Sequence, residues 1–246
     1  MMCEKIKLIA DTHTHTISCG HAYSTVLENA QQAAKAGMKF IAITEHGSKM
    51  PFCPPPMFFV NMLRVVPDLI DGVVVLKGTE ANICNREGEL DLEPALLSSL
   101  DWVIASYHVT VAEPSTVKDH THAYRAIAEN PDVDVIGHCG DERYRFDYAE
   151  GIKAFAKHNK IVEINNHSFV ARLGSDKNCR EIAKLCAENG VRVVVNTDAH
   201  FCLSIGRANT ALAMLEEINF PQELIVNADY DTFLAIAREK SGRKLV

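Results

Sequence analysis

None of the eight cysteines (Cys3, Cys19, Cys53, Cys84, Cys139, Cys179, Cys186 and Cys202) forms a C-x-x-C pair or a zinc-ribbon spacing. A thiolate-bound structural zinc is not expected, and reduced thiols of a cytosolic protein fit better than a disulfide framework. No apolar run approaches the ~20 residues that a membrane span requires. The first residues, MMCEKIKLIADTHTH, lack the apolar core and small-residue cleavage site of a signal peptide, so the expected address is the cytoplasm. Linkers, low-complexity segments and charge blocks are missing too, and residues 1–246 are expected to form one domain. Positive charge is scarce: 25 lysines and arginines face 32 acidic residues, a net charge of −7. That argues against a grip on long nucleic acid, which depends on neutralising many phosphates. A small anionic substrate stays open if metal ions supply local positive charge.

The chain does have regular alternation. Seven short β-rich runs, at 5–10, 39–44, 73–78, 101–106, 133–137, 160–165 and 191–196, are separated by longer helical patterns. In STVLENAQQAAKAG, Thr25 and Glu28 make a capping-box pattern and Gly37 a C-terminal stop. In SDKNCREIAKLCAENG, Cys179, Ile182, Ala183 and Cys186 share one helical face, which reads as core. Near-continuous apolar strands joined by helices imply parallel strands covered on both faces or closed into a barrel. The stretch MPFCPPPMFFVNM (50–62) is expected to be non-helical because of its three prolines, either as a stiff surface loop or as a lid. The last segment, DYDTFLAIAREKSGR, reads as a packing helix.

Metal-capable side chains fall where the strands end. His13, His15 and His21 follow the first run, His46 the second, Glu80 the third, His108 the fourth and His138 the fifth. Asp198 and His200 follow the seventh, and only the sixth, which leads into NNHS, breaks the pattern. A lone histidine after a strand is ordinarily a hydrogen-bonded structural residue. In a parallel α/β barrel, however, the C-terminal strand ends converge on one face, and active sites are built there. Seven of the eleven histidines and two carboxylates share that face, which favours a metal site. About three protein ligands serve one catalytic ion, so nine candidates point to two or three divalent transition-metal ions. Imidazole and carboxylate without thiolate suit zinc, manganese or iron and do not choose among them; zinc is the expectation carried forward.

The motifs DTHTHTxxxxH, TEHG, GTEANI, SYH, IGHCG and NTDAH, in this order, resemble the PHP (polymerase and histidinol phosphatase) superfamily. The nearest likeness is to its small stand-alone bacterial phosphatases of the YcdX-like type, and it runs along nearly the whole chain. The resemblance implies a distorted seven-stranded (β/α) barrel with a trinuclear site at its mouth. His13, His15, Glu80 and Asp198 would hold one ion. Glu80 would bridge to a second held with His108 and His138, and His21, His46 and His200 would hold the third. It also implies phosphate-ester hydrolysis, with Glu80 and Asp198 as catalytic candidates, to which His167 is added on its position in this sequence. Two positions depart from the pattern: Glu45 replaces an expected aspartate before His46, and His167 stands where a serine is more usual, placed to touch substrate or add a ligand.

Asp11 and Glu45, beside ligands, are expected either to orient imidazoles or to act as turn carboxylates. Arg143, Arg145, Arg172 and Arg207 follow strands and can fork onto a phosphate, whereas His120, His122 and His158 are read as surface residues. The expected reaction is metal-assisted hydrolysis of phosphate monoesters, in which clustered cations give hydroxide at neutral pH. The expected partner is a small phosphorylated substrate, without membrane or long nucleic acid, and a homo-oligomer is left open. Three rivals remain. An amidohydrolase-like C–N hydrolase shares the HxH but needs a carboxylated lysine at a strand end, with Lys49 and Lys77 the nearest. A non-enzymatic metal-binding protein would favour saturated coordination, and DNA proofreading conflicts with the acidic charge.

Overall fold

A computed structural model describes residues 6–242. Cys3, the start of the run 5–10 and the last residue of the C-terminal helical segment lie outside the described residues. Among the described residues, eight strands form one sheet: β1 (Ala10–Thr14), β2 (Phe40–His46), β3 (Leu69–Ile70), β4 (Val73–Asn82), β5 (Trp102–Ser106), β6 (Val135–Ile136), β7 (Ile161–Asn165) and β8 (Val193–Asn196). Seven run parallel in the order β1-β2-β4-β5-β6-β7-β8, and the short β3, which the sequence pattern did not show, pairs antiparallel with β4. The result is a nearly closed, distorted (β/α) barrel.

Its helices lie outside: α1 (Val26–Lys35), α2 (Pro56–Val65), α3 (Pro94–Leu97), α4 (Val117–Glu129), α5 (Tyr148–Lys157), α6 (Ser168–Ala171), α7 (Ser175–Glu188) and α8 (Asn209–Glu217). The ninth, α9 (Tyr230–Ser241), behaves differently. Phe233, Ile236 and Ala237 pack with inward-facing strand residues and plug the N-terminal end of the barrel. Thr25 and Glu28 form the expected capping box on α1, and Cys179, Ile182, Ala183 and Cys186 are buried on α7.

The period-2 alternation of the strands sorts residues between two cores. Ile41, Ile43, Val75, Val103, Val162 and Val195 face the helices. Phe40, Ala42, Leu76, Trp102, Ile104, Ile161 and Val194 face the barrel axis. Further along the same strands the inward positions turn polar: Thr44, Glu80, Asn82, Ser106, Glu163, Asn165 and Asn196 are all buried. One interior therefore holds an apolar layer below a polar one.

The seam between β1 and β8 is closed by few backbone contacts. Thr14 and Ala199 make one parallel bridge, and His15 N–H donates to the Ala199 carbonyl at 2.9 Å. Below it, the Asn227 amide donates to the carbonyls of Ala10 (2.9 Å) and Val195 (2.7 Å), and its oxygen accepts from Val195 N–H. Asn196 Oδ1 accepts from both the backbone and the hydroxyl of Thr12.

Three expectations need correction. The first strand is Ala10–Thr14 rather than 5–10, because its polar side chains find buried partners and the chain stays extended through His13. Residues 56–62 are helical: Pro56 opens α2 at its first position, where a missing N–H costs nothing. His120 is buried rather than superficial, with Nδ1 on the Arg145 carbonyl and Nε2 accepting from Ser115 N–H.

Candidate functional site

The register of the sheet sets which side chains meet. Pairing of β2 with β4 aligns His46 with Glu80, and pairing of β4 with β5 aligns Glu80 with Ile104, two residues before Ser106. In β1 the register shifts by one residue between Asp11 and Thr14, a bulge beside the HxH motif. His13 and His15 both reach the barrel axis. Asp198 and His138 sit at positive φ, +54° and +22°, backbone strain of the kind that clusters at functional sites.

Glu80 is the hub. Its Oε2 lies 3.2 Å from His13 Nε2, 3.6 Å from His15 Nε2 and 2.7 Å from His46 Nδ1. Its Oε1 lies 2.7 Å from His138 Nε2 and 3.4 Å from His108 Nε2. Asp198 Oδ1 lies 3.2 Å from His15 Nε2 and 3.5 Å from His13 Nε2. His21 and His46 approach through Nε2 at 3.2 Å, and the ring of His200 stands 4.9 Å from that of His21. The structure thus brings all nine proposed ligands together.

Their second nitrogens are tethered. The Nδ1 atoms of His13, His21, His108 and His200 meet Glu163 Oε1 (2.6 Å), the Cys19 carbonyl (2.9 Å), Asn82 Oδ1 (2.8 Å) and the Asp198 carbonyl (3.0 Å). These oxygens only accept, so in the neutral form of each imidazole Nδ1 carries the proton and Nε2 keeps a lone pair facing the centre, the arrangement that orients metal-binding histidines.

Asn82 is itself fixed by Asp91, which accepts from its side-chain amide at 2.6 Å and its backbone N–H at 2.8 Å. A Cβ on Gly47 would fall 2.0 Å from Asp91 Oδ1, so only glycine lets that carboxylate in. Glu163 also accepts from His138 N–H and from the amides of Asn165 and Asn196.

The electrostatics follow from burial and crowding. Burial alone would strip His13 of charge, but Glu163, Glu80 and Asp198 push its pKa well above 6.5. Burial likewise opposes charge on Glu80, yet His13, His108 and His46 hold its carboxyl well below the ordinary range. Asp198 is held low in the same way by His13, His15 and Arg172. For His15 burial dominates, and with His46 beside it the pKa falls well below 6.5.

Asp11 and Glu45 do not orient imidazoles. Asp11 accepts from Thr197 and from Gly206 N–H, tying down the loop after β8. Glu45 points away from the axis, accepts from Thr16 N–H at 2.8 Å and is pushed by burial to about 8. Buried Cys19 comes within ligand reach of His15 and His200, but burial pushes its thiol to about 11.

Sequence reasoning missed Glu163, Asn82 and Asp91. For Glu163 a signal was present: in KIVEIN, Ile161, Glu163 and Asn165 alternate with Val162 and Ile164, which places a carboxylate on the inward face of the strand that seemed to break the pattern.

Above the cluster opens a cavity of about 480 Å³, bordered by His21, His46, His108, Asp198 and His200. His167 and Arg172 also line it, and Arg172 donates to Asp198 Oδ2 at 3.0 Å. Arg143 reaches the cavity wall while paired with Asp141; Arg145 instead pairs with Glu142, and Arg207 is not among the lining residues. Lys77, the residue a C–N hydrolase reading would need, points outward from β4 onto Asp68, and Lys49 is exposed.

The model of the PHP domain matches residues 11–167. A probable phosphatase of Caldanaerobacter subterraneus subsp. tengcongensis is 46% identical over 97% of this chain and 94% of its own. One of Acetivibrio thermocellus is 42% identical over 97% and 98%. In fold, the chain is similar to histidinol phosphate phosphatase of Lactococcus lactis, with a TM-score of 0.62 at 17% identity over 86% of this chain and 94% of that one. With a buried histidine–carboxylate cluster at the mouth of such a barrel, the chain belongs to the PHP family of hydrolases.

Proposed function

We propose that this protein hydrolyses phosphate monoesters with three divalent metal ions. The observation that carries the reading is the set of N···O separations between His13, His15, Glu80 and Asp198, 3.2 to 3.6 Å. Ligands 2.0–2.1 Å from one tetrahedral ion stand about 3.3 Å apart. Among the described residues, His13 Nε2, His15 Nε2, His108 Nε2 and Asp198 Oδ1 are buried and make no hydrogen bond. Leaving such groups unpaired is costly, whereas an ion would satisfy several at once. The residues present therefore fit the metals.

His13, His15, Glu80 Oε2 and Asp198 Oδ1 would hold the first ion. Glu80 Oε1, His108 and His138 would hold the second, and His21, His46 and His200 the third. The donors suit zinc, manganese or iron alike, and zinc is put first because the Lactococcus lactis neighbour was crystallised with zinc, L-histidinol and phosphate. When bound, such ions neutralise the phosphate oxygens and acidify a water.

The chain's own residues do the rest. Glu163, Asn82 and two backbone carbonyls keep the imidazoles aimed. Arg172, steadied by Asp198 and by Ser168 Oγ at 3.2 Å, offers a guanidinium to the phosphate. His167 faces the same cavity and can move a proton at the leaving-group oxygen. Burial lowers its pKa, so its protonated share is small at neutral pH and grows as pH falls.

The test is release of inorganic phosphate from an aryl phosphate, abolished by a chelator and restored by zinc or manganese. Turnover of an amide or lactam with no phosphate ester hydrolysed would move the protein to C–N chemistry.

A further inference from the structure

The cavity is far larger than a phosphate needs, and it lies within the roughly 300–1,000 Å³ of small-molecule sites. Beyond the histidines its wall changes character. Met50, Pro51 and Phe52 line it from the loop after β2, and Tyr107 and Val109 line it from the loop after β5. The two loops touch, with Thr110 Oγ1 2.9 Å from Met50 Sδ.

Phe52 is the anomaly. The residue is 91% exposed, and its backbone sits at φ +65°, a conformation costly for a bulky side chain. The loop is braced to keep it there. Pro54, Pro55 and Pro56 follow with fixed φ, and Cys53 N–H returns to the Met50 carbonyl at 3.2 Å. On its other side the backbone presses on Gly20, where a Cβ would stand 2.8 Å from that of Phe52. Strain at an uncovered aromatic on the wall of a histidine-lined cavity has a physical rationale if a ligand covers that aromatic.

We propose that Phe52, with Met50 and Val109, forms a leaving-group subsite, and that the substrates are phosphomonoesters of a flat apolar or aromatic alcohol. The inference rests on the phosphomonoesterase reading for the position of the phosphate. The apolar wall itself is independent of it. The subsite disfavours small polyols, which would leave Phe52 and Val109 wet and bring hydroxyls that find few partners on that wall.

Calorimetry on the metal-loaded protein compares 1-naphthylphosphonate with methylphosphonate, which share a head group and cannot be hydrolysed. The naphthyl compound should bind at least about tenfold more tightly. Phe52→Ala should bring that ratio towards one, while Phe52→Tyr keeps it. Equal affinities in the parent protein, binding of neither compound, or a ratio that Phe52→Ala leaves unchanged would each overturn the subsite. An unchanged ratio with loss of an oligomer on light scattering would reassign Phe52 to a contact between copies. If the naphthyl preference and its dependence on Phe52 hold, but neither 1-naphthyl phosphate nor glycerol 2-phosphate releases phosphate, the subsite stands and the phosphatase reading fails.

Discussion

The barrel interior has two halves built by the same strands under the same alternation. In the lower half, Phe40, Leu76, Trp102, Ile104 and Ile161 pack with Phe233 of α9, and among the described residues Trp102 Nε1 finds no hydrogen-bond partner there. In the upper half, inward positions on the same strands carry Glu80, Glu163, Asn165 and Asn196 at similar burial. The lower half gains stability from apolar area removed from water. The upper half buries charge, which folding tolerates only with partners, and several of its atoms make no hydrogen bond among the described residues. Inside the barrel the lower layer therefore adds stability, beside the larger core between strands and helices, and the candidate site occupies the polar layer above. This division can be tested by damaging each half separately.

The largest effect should follow Glu80→Gln. The change keeps the shape but removes the negative charge and leaves one good acceptor oxygen for a group that faces histidines on both sides. Phosphate release should vanish, and metal content should drop by more than one equivalent, against about one for His46→Ala, with circular dichroism confirming that both variants are folded. Full metal content and near-normal turnover in Glu80→Gln would make Glu80 a structural carboxylate.

Damage below should have the opposite signature. Phe233 is fully buried, with its ring 4.9 Å from Phe40 and 5.8 Å from Trp102. Phe233→Ala should cost about 3–5 kcal/mol in denaturant unfolding. Metal content per folded chain should stay at the parent value. Loss of metal in step with stability would mean that the two halves are coupled rather than divided.

The contrast also explains what the sequence could tell. Strand and helix positions were legible because alternation and helical spacing are local, and the nine clustered residues because each follows an apolar run. Glu163 escaped because a single acid inside KIVEIN looks like an interruption until its inward neighbours Ile161 and Asn165 are known. Asn82 and Asn227 act on residues distant in sequence, His108 and the Ala10 and Val195 carbonyls at the seam, and Asp91 reaches Asn82 from a loop without periodicity, so no local pattern announces them. The helix after the prolines was missed because Pro56 opens it from the one position where proline is at home.

The smallest effect belongs to the lower rim. Lys160 precedes β7 and donates to the carbonyls of Asn130 and Val133, and burial lowers its pKa to about 8, with Lys240 adding to the shift. An unfolded lysine keeps its proton to ~10.4, so between these values the unfolded chain binds more protons and the contribution to stability rises with pH. The stability of the parent minus that of Lys160→Met should increase from pH 8 to about pH 10. A difference that is flat or falls with pH would show that Lys160 keeps its ordinary affinity for the proton.

The central claim is that the upper half is completed by metal. Elemental analysis of protein purified without chelator, before and after reconstitution with zinc or manganese, tests it most directly. The account predicts two to three equivalents per chain, reached at the latest on reconstitution. One equivalent or less that does not rise on reconstitution would contradict it.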